Sequence, residues 1–276
     1  MGIDYSAIED HARNMRKHIL DMGKHAGGHA AHMGGALSIV DVLAVLYFSV
    51  MNTRDVGMQD PGRDRCILSK GHASLGLYSA LIEAGFMDES LKETFEDDHS
   101  KLLGHPVRNH DLGIEFTNGS LGMGLSMGIG VAMACKRKEI DNRVFVILGD
   151  GECNEGSVWE AFMSASHFKL DNLCVIIDCN KFQLTGLTNE VMSLGDINAK
   201  LCAFGFETHR VDGHDVAALC KVLGENNTSE KPKCVIMDTI KGKGFSFSEN
   251  DNSWHHAVVT KKAYEQGMAE LGFEVV

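Results

Sequence analysis

The sequence has no cysteine pair at C-x-x-C spacing, no P-loop, no H-E-x-x-H and no strand-borne G-x-G-x-x-G. Its eight cysteines in 276 residues are too few for a disulfide scaffold. Several sit in apolar runs, such as Leu173-Cys174-Val175-Ile176-Ile177, where a reduced thiol behaves as a small hydrophobe. This usage implies a reducing compartment, the cytoplasm. Basic residues are in deficit: 26 Lys plus Arg against 38 Asp plus Glu, a net charge of −12. An acidic surface argues against non-specific nucleic-acid binding and against attraction to anionic membranes. The most apolar stretch, Leu37 to Met51, is interrupted by Ser38, Asp41 and Ser49. It is shorter than the ~18 residues of a spanning helix. The amino terminus carries Asp4, Glu9 and Asp10 and shows no stretch of signal-peptide type.

What is present is an α/β pattern. Ile8, Ala12, Met15 and Ile19 recur at helical spacing, as do the apolar residues from Ile39 to Phe48. The glycine-rich Gly23 to Gly35 between them reads as a non-helical connection. Cys66-Ile67-Leu68 is a short strand candidate, Ala73 to Ala84 a helix, and Leu102 to Asn118 a loop. Beyond Leu121, helices predicted over 122–138, 158–168, 197–204 and 214–223 alternate with strands over 144–148, 173–177, 207–211 and 234–237. A last helix, 261–271, ends at Gly272. Continuous apolar strands alternating with helices imply a doubly wound, mostly parallel sheet covered on both faces. No domain boundary stands out, so one α/β domain over 1–276 is expected.

In such a sheet, ligands sit outside the carboxyl ends of the strands. Asp150 follows the strand at 144–148 and Asn180 the strand at 173–177. If these strands are neighbours, the two side chains share one edge. A carboxylate, an amide oxygen and a nearby carbonyl form a hard-oxygen set for Mg²⁺ or Ca²⁺. So small a set needs further oxygens, typically from a phosphate-bearing cofactor. Gly149 and Gly151 would let backbone approach that anion, and the following helix would offer free N–H groups. Taken alone, Gly149-Asp150-Gly151 reads as a turn. Strand, Gly-Asp-Gly, helix, strand and Asn together resemble the thiamine-diphosphate fingerprint.

The wider sequence then resembles the transketolase family, specifically the amino-terminal half found as a separate subunit in split enzymes. The resemblance is carried by Ser69-Lys70-Gly71-His72-Ala73, Gly104-His105-Pro106, Asn118-Gly119-Ser120-Leu121-Gly122-Met123-Gly124-Leu125-Ser126 and Gly149-Asp150-Gly151-Glu152-Cys153-Asn154-Glu155-Gly156. It implies Asp150, Asn180 and the Phe182 carbonyl as metal ligands. It implies His72, Leu121, Gly122, Gly149 and Gly151 around the diphosphate and thiazolium. His32, His72, His105 and His255 match substrate-channel histidines, and Glu155 and Glu160 match carboxylates near the dimer axis. Ala31 and Thr185-Gly186 depart from the family's usual Gly and Asp-Gly, and Gly27-Gly28-His29 offers a competing register for the first histidine.

The implied reaction transfers a two-carbon ketol unit from a ketose, often a sugar phosphate, to an aldose. The implied cofactors are thiamine diphosphate and Mg²⁺ (or Ca²⁺). The pyrimidine-binding domain with its activating glutamate would follow Val276 in a full-length transketolase. A separate carboxy-terminal partner subunit is therefore expected, in a heterotetramer of two copies of each. Two other readings stand beside this one: a catalytically silent scaffold or regulatory homologue, and a serine hydrolase using Ser126. The latter rests on Gly124-Leu125-Ser126-Met127-Gly128, which meets the G-x-S-x-G pattern but lacks the preceding apolar strand. Gly128 and Gly130 are expected to allow close helix approach. His11, His18, His99 and His110 are expected to be structural or at the surface.

Overall fold

Alternate residues of the apolar strands feed two separate cores. Phe145, Ile147, Cys174, Ile176, Val235 and Met237 enter one. Val144, Val146, Leu148, Val175, Ile177, Cys234 and Ile236 enter the other. A strand buried on both faces has no polar side to show, hence its unbroken apolar run. The structure is a computed structural model describing residues 2–53, 59–227 and 230–274.

The helices are α1 (Tyr5–His25), α2 (Met33–Leu37), α3 (Val40–Val45), α4 (Ser74–Glu83), α5 (Met123–Arg137), α6 (Gly156–His167), α7 (Thr188–Met192), α8 (Ile197–Phe204), α9 (Val216–Gly224) and α10 (Lys261–Glu270). The strands are β1 (Arg65–Leu68), β2 (Val144–Gly149), β3 (Leu173–Cys179), β4 (Glu207–Asp212) and β5 (Lys233–Asp238). They form one sheet in the order β1-β2-β3-β5-β4, every pairing parallel. Helices α1, α3, α4 and α9 pack into the first core, and α5, α6 and α8 into the second. The doubly wound parallel sheet is therefore as expected. Strand β2 lies between β1 and β3, with Gly149 level with Asp178. That register brings Asp150 and Asn180 to one edge.

Several local expectations change. Helix α1 runs through Gly23 to His25 instead of stopping at the glycine. A Cβ at Gly23 would lie 2.7 Å from the Met33 sulfur and 2.8 Å from Val259, so packing overrides the low helical propensity. Helix α2 begins inside the stretch expected to be a connection. The short helical turns at Glu89–Thr94 and Thr188–Met192 were not anticipated. Gly128 does make a close approach, with a Cβ falling 2.4 Å from Val146, but a Cβ at Gly130 would meet nothing within 4 Å. Gly130 faces open space, and its expected role is corrected. The helix 261–270 ends as expected before a left-handed Gly272.

All eight cysteines are free, six of them buried. Burial pushes the Cys66 thiol up to about 12. Among the described residues, no helix is long and apolar enough to cross a membrane.

Candidate functional site

The carboxyl ends of β1, β2 and β3 open onto a cleft of about 380 Å³. It is lined by His72, His105, Leu121, Gly149, Asp150, Gly151, Glu155, Asn180, Phe182 and His255, all predicted from sequence, together with Lys70, Glu152 and Gln183. Two predicted residues stand behind this lining. Gly122 is the left-handed cap of α5 (φ 81°), and its N–H donates to Glu152 at 2.8 Å. His32 sits at the centre of a histidine cluster. Its ring centroid is 5.6 Å from His72, 5.6 Å from His105 and 5.5 Å from His255. The competing His29 is exposed. Glu155 and Glu160 are also exposed.

Asp150 is 5% exposed, yet no basic side chain pairs with it among the described residues. It accepts hydrogen bonds from the N–H of Gly151 (2.8 Å) and Lys181 (3.0 Å) and from the Thr188 hydroxyl (3.0 Å). Burial, and then the charge of Asp178, push its carboxyl up to about 6. A buried carboxylate held by neutral donors is an uncompensated charge that favours a cation. The Asn180 amide donates to Asp178 at 2.8 Å, while its carbonyl oxygen accepts the Phe182 N–H at 3.1 Å. The side chain is thus locked, with acceptor capacity left on that oxygen. Gln183, which packs over Gly151, has a buried Nε2 without a partner, a donor lacking an acceptor. An uncompensated carboxylate beside an orphan donor fits a ligand that brings a cation and an anion together.

The rest of the site is partly dehydrated. Lys70, 1% exposed, forms an ion pair with the fully buried Asp178. Asp178 also accepts from Ser38 at 2.7 Å and from Thr239. Burial alone would raise the Asp178 carboxyl, but Lys70 and these donors hold it below the ordinary range. Lys241 reaches Asn252 (2.6 Å) and His255 Nδ1 (2.9 Å). Burial and the neighbouring Lys70 lower it to about 8. Burial, then charge repulsion, drop His32 to about 3 and His255 to about 4, and His72 falls well below its usual value. Near pH 7 these imidazoles are neutral, each with one N–H to donate and one nitrogen to accept.

Lys70, Glu152, Asp178, Gln183, Lys241 and His256 were not singled out from sequence. Lys70 and Glu152 lie inside the quoted motifs, and Asp178 ends a predicted strand. His256, exposed with its ring 4.4 Å from His32, had only its adjacency to His255 as a signal. The other histidines are elsewhere. His11 and His18 contact Glu83 at 2.8 and 3.2 Å, and His11 stacks on Phe48. His110 accepts from Arg108, and His99 occupies a positive-φ turn. Ser126 is exposed in the first turn of α5, without a hydrogen bond to any histidine among the described residues. No strand-to-helix elbow is formed there.

Fold and cleft together define an α/β cofactor-binding protein of the thiamine-diphosphate-binding fold. The family described as "Transketolase, thiamine diphosphate binding domain" matches residues 9–276. The chain belongs to this transketolase family of transferases. It is 39% identical to one subunit of the apulose-4-phosphate transketolase of Actinobacillus succinogenes, over 98% of each protein. It is 37% identical to 6-deoxy-6-sulfo-D-fructose transketolase subunit SqwG of Clostridium sp. strain MSTE9, over 96% of each. The crystal structure of transketolase from Campylobacter jejuni superposes with a TM-score of 0.88 at 30% identity. That match covers 99% of this chain and 44% of the Campylobacter chain, so this protein spans under half of that enzyme.

Proposed function

We propose that this chain is the cofactor-binding subunit of a two-subunit transketolase that moves a two-carbon ketol unit from a ketose to an aldose. The observation that carries the reading is the buried, uncompensated Asp150 beside Asn180 at the carboxyl edge, in a family named for thiamine diphosphate. Relatives of the same length are called subunits, which supports a partner.

Asp150, Asn180 and the Phe182 carbonyl would hold Mg²⁺ or Ca²⁺, which would neutralise Asp150 and offset the charge of the diphosphate. The orphan amide of Gln183 would supply a donor to the same anion. Gly149, Gly151, Leu121, Gly122 and His72 would shape the cradle. When bound, thiamine diphosphate would supply a nucleophilic carbon for chemistry at a ketose carbonyl. His32, His72, His105 and His255 would orient the sugar and hold or pass protons at its oxygens. The neutrality of His32, His72 and His255 near pH 7 lets each of these three imidazoles donate at one nitrogen and accept at the other. Glu155 and Glu160, exposed beside the cleft and on α6, would face the second copy in a heterotetramer of two subunits of each kind. The partner would contribute the pyrimidine-binding domain and its activating glutamate. Sugars or sugar phosphates are the substrates of this reading. Free, mostly buried thiols support a cytoplasmic location.

Reconstitution tests it. The chain alone should not turn over ketose donors, and adding a pyrimidine-domain subunit with thiamine diphosphate and Mg²⁺ should give two-carbon transfer. Robust turnover by the chain alone would overturn the two-subunit reading. Failure of the complex to bind the cofactor would favour a silent homologue.

A further inference from the structure

Glu152 directly follows the Gly149-Asp150-Gly151 turn and is 2% exposed. Its carboxylate accepts three hydrogen bonds from three different parts of the chain. The Ser69 hydroxyl donates at 2.5 Å and the Gly122 N–H at 2.8 Å, both to Oε1. The Gly149 N–H donates to Oε2 at 3.1 Å. Ser69 extends the network by accepting the Gly124 N–H at 3.2 Å. These segments are the turn that follows β1, which carries Lys70 and His72; the cap of α5, next to Leu121; and the end of β2, which leads into Asp150.

We propose that Glu152 is a positioning residue that fixes the cofactor cradle by holding these three segments in register through its two carboxylate oxygens. The inference rests on the cofactor reading above. The chemistry of the partners calls for a carboxylate, because all three are donors and Glu152 must accept at both oxygens. A glutamine keeps one accepting oxygen and turns an NH₂ toward a backbone N–H, so one strand end loses its anchor. The arrangement also commits the Gly122 and Gly149 amides to Glu152. The cradle is therefore positioned by these glycines and not built from their N–H groups. Gly122 leaves no alternative path: a Cβ there would fall 2.7 Å from the Glu155 Cβ and 2.6 Å from the Ser157 hydroxyl.

The test compares wild type, Glu152→Gln and the milder Ser69→Ala in the full chain. Amide hydrogen exchange, followed without cofactor, should rise about tenfold or more around residues 119–124 and 148–151 in Glu152→Gln. The central sheet should stay protected. In the complex with the partner subunit, the apparent affinity for thiamine diphosphate with Mg²⁺ should fall about 10- to 100-fold. Turnover at saturating cofactor should stay within about threefold of wild type, a split that a collapsed fold would not give. Ser69→Ala should move the same readouts in the same direction by less, and it serves if Glu152→Gln fails to fold. Unchanged exchange at both glycine segments overturns the proposal. So does exchange that rises uniformly across the sheet with cofactor affinity intact, because Glu152 would then serve the fold alone. A wild-type complex that takes up no thiamine diphosphate overturns the cofactor reading instead, and the cofactor-free exchange still decides whether Glu152 pins these segments.

Discussion

Replacing Lys70 by methionine removes a charge from the best-shielded ion pair among the described residues. Lys70 is 1% exposed and Asp178 is 0% exposed, so water cannot replace the lost ammonium. The Asp178 carboxylate would keep only neutral donors: Ser38 at 2.7 Å, Asn180 at 2.8 Å and Thr239. Breaking one side of a buried pair costs about 3–5 kcal/mol. For a chain of this size that is a fall of roughly 6–20 °C in melting temperature. The double substitution Lys70→Met/Asp178→Asn removes both charges and should recover at least about half of the loss, because replacing a whole buried pair is often near neutral. Acidity gives a second signature. Without Lys70, burial dominates and the Asp178 carboxyl rises above its unfolded value. A raised carboxyl costs stability as pH climbs from the unfolded pKa through the folded one. The Lys70→Met deficit should therefore be smaller at pH 5 than at pH 7.5. Urea unfolding of wild type, Lys70→Met and the double variant measures each quantity. A single-mutant loss under about 1 kcal/mol, or a double mutant as unstable as Lys70→Met, would refute the reasoning.

Asp150→Asn should abolish the divalent-cation dependence of cofactor binding while raising the unfolding midpoint above pH 6, since it removes a buried carboxylate that burial pushes up to about 6; titration calorimetry and urea denaturation report the two effects. In the reconstituted complex, His72→Ala should lower turnover by about 10²–10⁴-fold, whereas His11→Ala, which contacts Glu83 and Phe48, should not; equal rates would make His72 structural. The depressed histidines make the fold acid-sensitive. Their folded values, about 3 for His32 and about 4 for His255, lie below the unfolded 6.5, so the unfolded chain binds more protons and stability falls as pH drops below about 6.5. Asp150 opposes this below pH 6, so the loss should be steeper in the Asp150→Asn background; a midpoint that does not move between pH 7.5 and pH 5 there would contradict the burial of the cluster.

The unbroken apolar runs at 144–148, 173–177 and 234–237 determined a parallel sheet covered on both faces, because only a doubly buried strand dispenses with polar alternation. Asp150 and Asn180 were legible as an edge pair, since strand ends and their turns are local features. The four clustered histidines were legible only through motif resemblance. What tertiary structure decided is everything that depends on contacts between distant segments. It settled that His32 and not His29 stands in the cluster, and it added the exposed His256. It joined Lys70 to Asp178 across 108 positions and Glu152 to Ser69 across 83. It also kept Gly23 helical, where propensity alone predicts a break, and left Gly130 in open space. Periodicity registers which face of an element is buried. The partner on that face, and the charge left over once all partners are counted, emerge only when the sheet order places strands from different parts of the chain side by side.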